Sequence, residues 1–228
     1  MLERMRSKEV SPVKDVIAQK AASALLEIGA ISIRPDNPFT YSSGIKSPVY
    51  TDCRLLMAHV PERKLIRDLY IELLDESGKE FDVIAGTATA GIPHAAWIAE
   101  ALDLPMVYVR GKAKDHGKGN QVEGSVDRGS RVAVVEDLIS TGGSSAESAL
   151  ALRENGAIVE DVFAIITYGM KKAEETYEMN GLNLNVMTDF RTILNVARDK
   201  GTITEEQIPM ILDWFQDPPT WGKRHGFE

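Results

Sequence analysis

The chain contains a single cysteine, Cys53, among its 228 residues. One cysteine excludes an intramolecular disulfide framework and a cysteine-rich zinc module, so we expect a reducing compartment, the cytoplasm. Long apolar runs are also missing: none approaches the roughly 20 residues that a membrane span requires. The N-terminal stretch MLERMRSKEVSPVKD is charged rather than apolar. We therefore expect neither a cleaved signal peptide nor a membrane anchor.

Basic residues are outnumbered, with 26 Lys and Arg against 34 Asp and Glu and a formal net charge of -8. Neutralising a phosphate backbone requires a basic face, so this composition argues against general nucleic-acid binding. An anion site in this chain must therefore be local. One cationic stretch stands out, RGKAKDHGKGN at residues 110–120.

The hydrophobic pattern predicts an α/β fold. Short Val- and Ile-rich runs (DVIAG, PMVYVR, RVAVVED and VEDVFAIITY) alternate with helical stretches over residues 92–102 and 143–155. Continuous apolar runs of this kind indicate parallel strands that are buried on both faces. The flanking segments predict amphipathic helices over 13–28 and 61–77, a hairpin or pair of short strands over 39–54, helix over 169–180, strand at LNVMTDF, helix over 204–215 and an irregular tail, QDPPTWGKRHGFE.

Ligands of open parallel sheets bind beyond the carboxyl ends of the strands, and the loop VVEDLISTGGSS, residues 134–145, follows such a strand. The unpaired N–H groups of a helix start favour a phosphate there, with hydroxyl donors from Thr141, Ser144 and Ser145. Glu136 and Asp137 would repel that phosphate unless they bind sugar hydroxyls or a metal ion. A phosphorylated sugar satisfies both halves of the loop. The alternative is a plain helix cap preceded by solvated acids.

Two further loops follow predicted strands. GTATAG, residues 86–91, has the glycines of a Walker A loop, but Ile92 and Pro93 stand where Lys and Ser or Thr are required, which excludes a nucleoside triphosphatase. Its small residues would let the backbone approach an anion, although a simple strand-to-helix turn has the same composition. Residues 111–129 are long for a structureless connection, so they predict either a solvated loop or a cationic lid.

VAVVEDLISTGGSS closely resembles the phosphoribosyl-diphosphate signature of type I phosphoribosyltransferases, and FTYSSGIKSPVYTDCR with VRGKAKDHGKGNQVEG resembles the orotate phosphoribosyltransferases among them. This resemblance implies a central parallel sheet flanked by helices, with a small hood. The implied division is an N-terminal helix and hood (1–60), an α/β core (61–200) with a lid (110–129), and a C-terminal helix and tail (201–228).

The resemblance also implies an activity, the transfer of ribose 5-phosphate from phosphoribosyl diphosphate to orotate in UMP biosynthesis. Mg²⁺ would be held mainly through the diphosphate, and a homodimer would share its lids between subunits. Lys114, His116 and Asp137 are the implied catalytic residues. The implied substrate-binding residues are Arg110, Lys114 and His116 at the diphosphate, Glu136 and Asp137 at the ribose, and Leu138, Ile139, Ser140, Thr141, Gly142, Gly143 and Ser144 at the 5'-phosphate, with Ser140 also near orotate and residues 86–91 near the pyrophosphate.

The chain departs from many relatives at four places where they have a cation. Gly111 follows the lid arginine, Ser42 stands in the hood, Ala90 precedes Gly91, and Tyr168 with Gly169 follows the strand that ends near Thr167. These positions inherit no role from the resemblance. Lys46 is a candidate for the missing charge, the alternative being a solvated hairpin lysine.

Three other functions remain open from the sequence. A purine-type phosphoribosyltransferase would share EDLISTGG but not the KAKDHGKGN lid. A phosphoribosyl-diphosphate-sensing regulator that binds RNA or DNA is disfavoured by the net charge. A plain phosphate-binding module does not account for both the paired acids and the lid.

Overall fold

The computed structural model of the chain describes residues 12–111 and 121–227. Its regular elements are α1 (Pro12–Glu27), β1 (Ile31–Ile33), β2 (Phe39–Thr40), β3 (Lys46–Ser47), β4 (Val49–Thr51), a 3-10 helix (Cys53–Met57), α2 (Val60–Glu76), β5 (Val83–Thr87), α3 (Gly91–Leu102), β6 (Met106–Val109), β7 (Val122–Glu123), β8 (Arg131–Ile139), α4 (Gly143–Glu154), β9 (Ile158–Thr167), α5 (Lys171–Met179), β10 (Asn183–Asp189), α6 (Phe190–Asp199), α7 (Gln207–Trp214) and α8 (Pro218–Arg224). Over the described ranges, no helix is both long and apolar enough to cross a bilayer.

A six-stranded sheet with the order β10-β9-β8-β5-β6-β7 forms the centre of the fold. The five longer strands are parallel, and only β7 pairs antiparallel, with β6. Every residue of β5 is buried, as is the first half of β8 after Arg131. This burial on both faces confirms the α/β architecture that the continuous apolar runs predicted.

Helices cover both faces of the sheet. One face packs against α1, α2, α3 and α6 through an apolar core that includes Ile84, Val135 and Phe163. The other face packs against α4 and α5 through Val107, Val134 and Val162. Alternate residues of β8 therefore point into different cores, Val134 into one and Val135 into the other, as the period of a strand requires.

The N-terminal strands form two small antiparallel sheets beside the core. β2 pairs with β3 to form a hairpin, with Phe39 opposite Ser47, and we call residues 39–47 the hood hairpin. β4 pairs instead with β1, with Ile31 opposite Thr51. The sequence predicted short strands in this region, but it gave no signal for β1. The division at residues 60 and 200 stays a prediction, and α1 packs against α6 and β10.

The C-terminal segment is where the sequence-based prediction was wrong. Helix α6 was not predicted, and the segment expected to be an irregular tail contains helix α8. Pro218 occupies the start of α8, where its missing N–H costs no hydrogen bond, and Trp221 is fully buried in the core. The burial of one large aromatic side chain thus orders a segment whose two prolines and two glycines suggested a loop.

Candidate active site

Four parallel strands end together at one edge of the sheet. Thr87 at the end of β5 lies opposite Val109 at the end of β6, and Ile139 at the end of β8 lies opposite Thr167 at the end of β9. β5 and β8 are neighbours, with Gly86 opposite Val135. The three loops that the sequence singled out therefore start from adjacent strands, as expected for the binding edge of a parallel sheet.

Two neighbouring carboxyl groups lie at the end of β8 and form what we call the acidic pair, Glu136 and Asp137. Glu136 is 8% exposed and Asp137 is half-buried. Each side chain accepts a hydrogen bond from the next backbone amide, Glu136 Oε1 from Asp137 N at 3.0 Å and Asp137 Oδ1 from Leu138 N at 2.8 Å. Within residues 12–111 and 121–227, no Lys or Arg forms an ion pair with either group. The acidic pair thus retains acceptor capacity for a ligand.

Burial governs the ionisation of the acidic pair. It raises the pKa of Glu136 far above the ordinary value of 4.5, and the adjacent Asp137 carboxylate raises it further. Burial also raises the pKa of Asp137, against the lowering effects of its hydrogen bonds with Glu136 and the Leu138 amide and of the more distant Arg54. Ionising both of these adjacent, poorly solvated carboxyl groups costs free energy. Hydroxyl donors or a cation from a ligand would lower that cost.

The loop after the acidic pair leads directly into α4, and its geometry suits an anion. Gly142 is the N-cap of α4 with φ of 76°, and no side chain caps the helix. A Cβ atom on Gly142 would lie 2.9 Å from the Tyr177 ring, so both the backbone angle and the space require glycine. Thr141 and Ser144 are exposed beside the free N–H groups. The alternative of a plain side-chain cap has no hydrogen bond to support it.

Ser145 does not contribute to this loop as the sequence suggested. Its side chain is buried, and its Oγ lies 2.6 Å from the Tyr177 hydroxyl and donates to Gly142 O at 3.3 Å. Its hydroxyl therefore joins the loop to Tyr177 inside the protein and does not face the space beside α4. The prediction of a phosphate donor at Ser145 was wrong.

The loop at residues 86–91 needs its glycines for packing. A Cβ on Gly86 would lie 2.8 Å from Ile92 Cα, and one on Gly91 would overlap the carbonyl oxygen of Val135. Helix α3 thus starts in direct contact with β5 and β8. The Ala88 N–H donates to Val109 O at 2.9 Å, which joins this loop to the end of β6, and the Ala88–Thr89 peptide bond is cis.

The base of the predicted lid lies beside that loop. Arg110 N donates to Gln121 O at 2.9 Å, and Gln121 Nε2 donates to Arg110 O at 3.2 Å, so the two ends of the lid are held together. The Arg110 guanidinium forms an ion pair with Glu123 of β7 at 3.4 Å. Strand β7 lies inside the segment 111–129, which the sequence predicted to be a solvated loop or a cationic lid, with no strand in it. Lys114 and His116 lie outside the described residues.

Aromatic side chains surround Tyr168, one of the positions for which the resemblance implied an arginine in many relatives. Tyr168 follows β9, its N–H donates to Ile139 O, and its ring makes edge contacts with Phe190 at 5.3 Å and Phe215 at 5.5 Å. Ser140 next to it donates to the Met170 sulfur at 3.8 Å. Lys46 is half-buried, and its Nζ donates to Thr40 Oγ1 within the hood hairpin through an exposed hydrogen bond of 3.1 Å, so its role at the site stays a prediction.

Comparison with known proteins agrees with this geometry. Residues 56–188 match the model of the phosphoribosyl transferase domain. The chain is 47% identical to an orotate phosphoribosyltransferase of Listeria monocytogenes over 207 residues, which are 91% of this chain and 99% of the relative. The chain belongs to the orotate phosphoribosyltransferase family.

Solved structures of the family have the same fold. The orotate phosphoribosyltransferase of Aeropyrum pernix superposes with a TM-score of 0.69 at 34% identity, covering 80% of this chain and 99% of that one. The Mycobacterium tuberculosis enzyme, solved in complex with 5-phospho-alpha-D-ribosyl 1-diphosphate, superposes with a TM-score of 0.59 at 26% identity, covering 77% and 98%. The type I phosphoribosyltransferase fold predicted from the signature is therefore confirmed.

Two tyrosines that support the site were not predicted from the sequence. The Tyr70 hydroxyl on α2 is buried and donates to the backbone oxygen of Glu136 at 2.6 Å, across 66 positions of sequence. Tyr177 on α5 holds Ser145, as described above. Each looks like an ordinary core aromatic in the sequence, because a hydroxyl that bonds a distant backbone atom leaves no local pattern.

The raised pKa of Glu136 predicts a pH dependence of stability. Above the ordinary pKa of glutamic acid and below the raised one, the folded protein binds a proton that the unfolded chain does not, so stability falls as pH rises. We expect the free energy of unfolding of the wild type to fall between pH 5 and pH 7 by about 1 kcal/mol or more relative to Glu136→Gln, since one pKa unit is worth about 1.4 kcal/mol. Urea titrations at both pH values measure this difference.

The matched control is Glu147→Gln, an exposed acid on α4, which should keep the wild-type dependence. Equal slopes for the wild type and Glu136→Gln would show that the buried carboxyl does not hold the proton.

Proposed function

We propose that this edge of the sheet transfers ribose 5-phosphate from phosphoribosyl diphosphate to N1 of orotate, giving orotidine 5'-phosphate and pyrophosphate for UMP biosynthesis. The observation that supports this proposal is the acidic pair, one carboxyl buried and the other half-buried, which has no ion-pair partner among the described residues and lies in the same segment as the N-terminus of α4, which no side chain caps. One end of that arrangement suits sugar hydroxyls and the other suits a phosphate. Membership of the family supports the choice of reaction.

In this proposal the donor is held by backbone and carboxyl groups of one continuous segment. Residues 138–144 bind the 5'-phosphate through the free N–H groups of α4 and the Thr141 and Ser144 hydroxyls, helped by the helix dipole at about 0.3 to 1 kcal/mol for each charge contact. Glu136 and Asp137 accept hydrogen bonds from the ribose hydroxyls. Glu136 holds its proton in the free protein, so the negative charge of Asp137 is the one that favours the positive charge developing on the ring in an oxocarbenium-like transition state.

The leaving group requires cations, and the lid supplies them. The bond between ribose C1 and the diphosphate oxygen breaks as the bond to orotate N1 forms, so no protein nucleophile is needed. Lys114, His116 and Arg110 stabilise the charge that collects on the diphosphate, and residues 86–91 lie beside it. A closed lid also excludes the water that would otherwise intercept the activated sugar. Arg110 would exchange its ion pair with Glu123 for the diphosphate.

We infer that a magnesium ion at this site would be held mainly by substrate oxygens. Over the described parts of the chain, no group of three or more His, Cys, Asp or Glu is placed to hold a metal. Glu136 and Asp137 are the carboxyls that would lie nearest to such an ion. When bound, magnesium would neutralise charge on the diphosphate.

We further propose a cytoplasmic homodimer in which each lid covers the active site of the other subunit. Leu55, Met57 and Val60 are 39%, 47% and 44% exposed and follow one another along the 3-10 helix and the start of α2. They offer an apolar surface to a second copy of the chain. Cys53 is buried and unpaired, which suits a reducing compartment.

The direct test is a spectrophotometric assay of orotate consumption with phosphoribosyl diphosphate and magnesium. We expect turnover with orotate and none with adenine, guanine or xanthine in place of orotate. Turnover with a purine base would support the purine-type alternative. Salt-dependent binding of RNA or DNA without turnover would support a regulator.

Lys114→Ala should lower turnover by roughly 10²-fold or more, as the loss of an electrostatic contact in the transition state does. The fold should be unaffected, and single-turnover kinetics with orotate measures the chemical step. Lys118→Ala, a cation of the same lid without an assigned role, is the matched control. Near-normal turnover in Lys114→Ala, or an equal loss in both variants, would contradict the role of Lys114.

A mixture of subunits tests the shared lid. In a dimer of one Lys114→Ala subunit and one Asp137→Asn subunit, one site combines a wild-type lid with a wild-type acidic pair if lids cross the interface. Random pairing at equal amounts should then restore about a quarter of the wild-type turnover, because half of the dimers are mixed and each has one intact site. Each variant alone is the control. No recovery after confirmed subunit exchange would mean that each lid serves its own subunit.

A further inference from the structure

The hood hairpin depends on the C-terminal helices for its position. Its strands contain two residues each, and hairpins this short are not stable alone. The Trp214 indole N–H on α7 donates to the backbone oxygen of Lys46 at 2.9 Å. Gly222 on α8 touches the same residue so closely that a Cβ atom there would lie 2.8 Å from Lys46 Cβ. Two helices thus hold one residue of the hairpin.

These two helices are joined to each other and form what we call the C-terminal brace, α7 and α8. The Trp221 indole N–H on α8 donates to Met210 O on α7 at 2.9 Å, and His225 Nε2 lies 2.8 Å from Asp213 Oδ2. Trp221 itself is fully buried and stacks on Phe227 at 5.4 Å. A displacement of α8 would therefore be transmitted to α7 and to Trp214.

Trp214 connects the hairpin with the binding edge of the sheet. Its ring makes edge contacts with Tyr41 of the hairpin and with Tyr168 after β9, each with centroids 6.1 Å apart. Tyr168 in turn bonds Ile139, the neighbour of Ser140, through its backbone N–H. One side chain thus sets the distance between the hairpin and the loop in which the orotate ring is proposed to lie.

We propose that the C-terminal brace positions the hood hairpin over the base of the acceptor, with Trp214 and Gly222 as positioning residues for orotate. This inference rests on the proposed function. The brace lies beyond the domain shared across phosphoribosyltransferases, which ends at residue 188, so it belongs to the part of the chain that is free to differ with the base. A small planar base offers few atoms for contacts, so its affinity depends on a binding site that is already ordered before the base binds.

The test separates the two substrates. Gly222→Ala should press α8 against Lys46 and shift the hairpin, raising the KM for orotate roughly tenfold or more while the KM for phosphoribosyl diphosphate stays within about twofold, since small displacements of positioning elements have large effects. Lys223→Ala is the matched control, because it places the same residue one position along α8 on an exposed site. Thermal unfolding of both variants shows whether α8 remains folded.

Trp214→Phe provides a second, independent variant. It keeps an aromatic ring but removes the N–H donor to Lys46, and it should also raise the KM for orotate selectively. Trp97→Phe, on α3 beside Arg63, is its control. The positioning role alone would be overturned if both Gly222→Ala and Trp214→Phe left the KM for orotate unchanged. It would also be overturned if they altered the KM values for both substrates together. A wild-type protein without orotate turnover would overturn the proposed function itself, and the inference with it.

Discussion

The poor solvation of two adjacent carboxyl groups at the end of the central strand determines what this site can bind. The poor solvation of Glu136 and Asp137 opposes their ionisation. Among the described residues, their side chains accept hydrogen bonds from backbone amides of their own segment and form no ion pair with Lys or Arg. Such an arrangement is costly unless a ligand with hydroxyl groups or a cation completes it. β8 lies in the middle of the sheet, with β9 and β5 on either side, so both carboxyls are fixed by neighbours that cannot move independently.

A second feature of the molecule is where its positive charge lies along the chain. The edge of the sheet offers backbone N–H groups and hydroxyls at α4 to an anion, whereas the cationic stretch of the sequence, residues 110–120, starts at a base that is closed by the bonds between Arg110 and Gln121. A net charge of -8 is compatible with two anionic substrates because the positive charge is local.

Local signals in the sequence predicted the parts of the site that a single segment builds. The run from Val132 to Ser144 contains its strand, its acids, its αL glycine and its helix start, so each can be recognised without knowledge of distant residues. What failed was long-range: Tyr70 reaches Glu136 from another helix, Ser145 turns inward to Tyr177, and Trp221 orders a tail that looked irregular. β7 was missed because two residues in a lid have no periodicity to detect.

Isothermal titration of phosphoribosyl diphosphate into the wild type and into Asp137→Asn, with magnesium present, tests most directly whether the acidic pair binds the sugar. Asparagine keeps the shape of the side chain but removes its charge, and Glu147→Gln on the exposed side of α4 controls for the loss of one negative charge. The account predicts that Asp137→Asn binds roughly tenfold or more weakly, since hydrogen bonds to a charged acceptor are lost. If the pair only repelled the phosphates, affinity would be unchanged or higher, and either result would contradict the account.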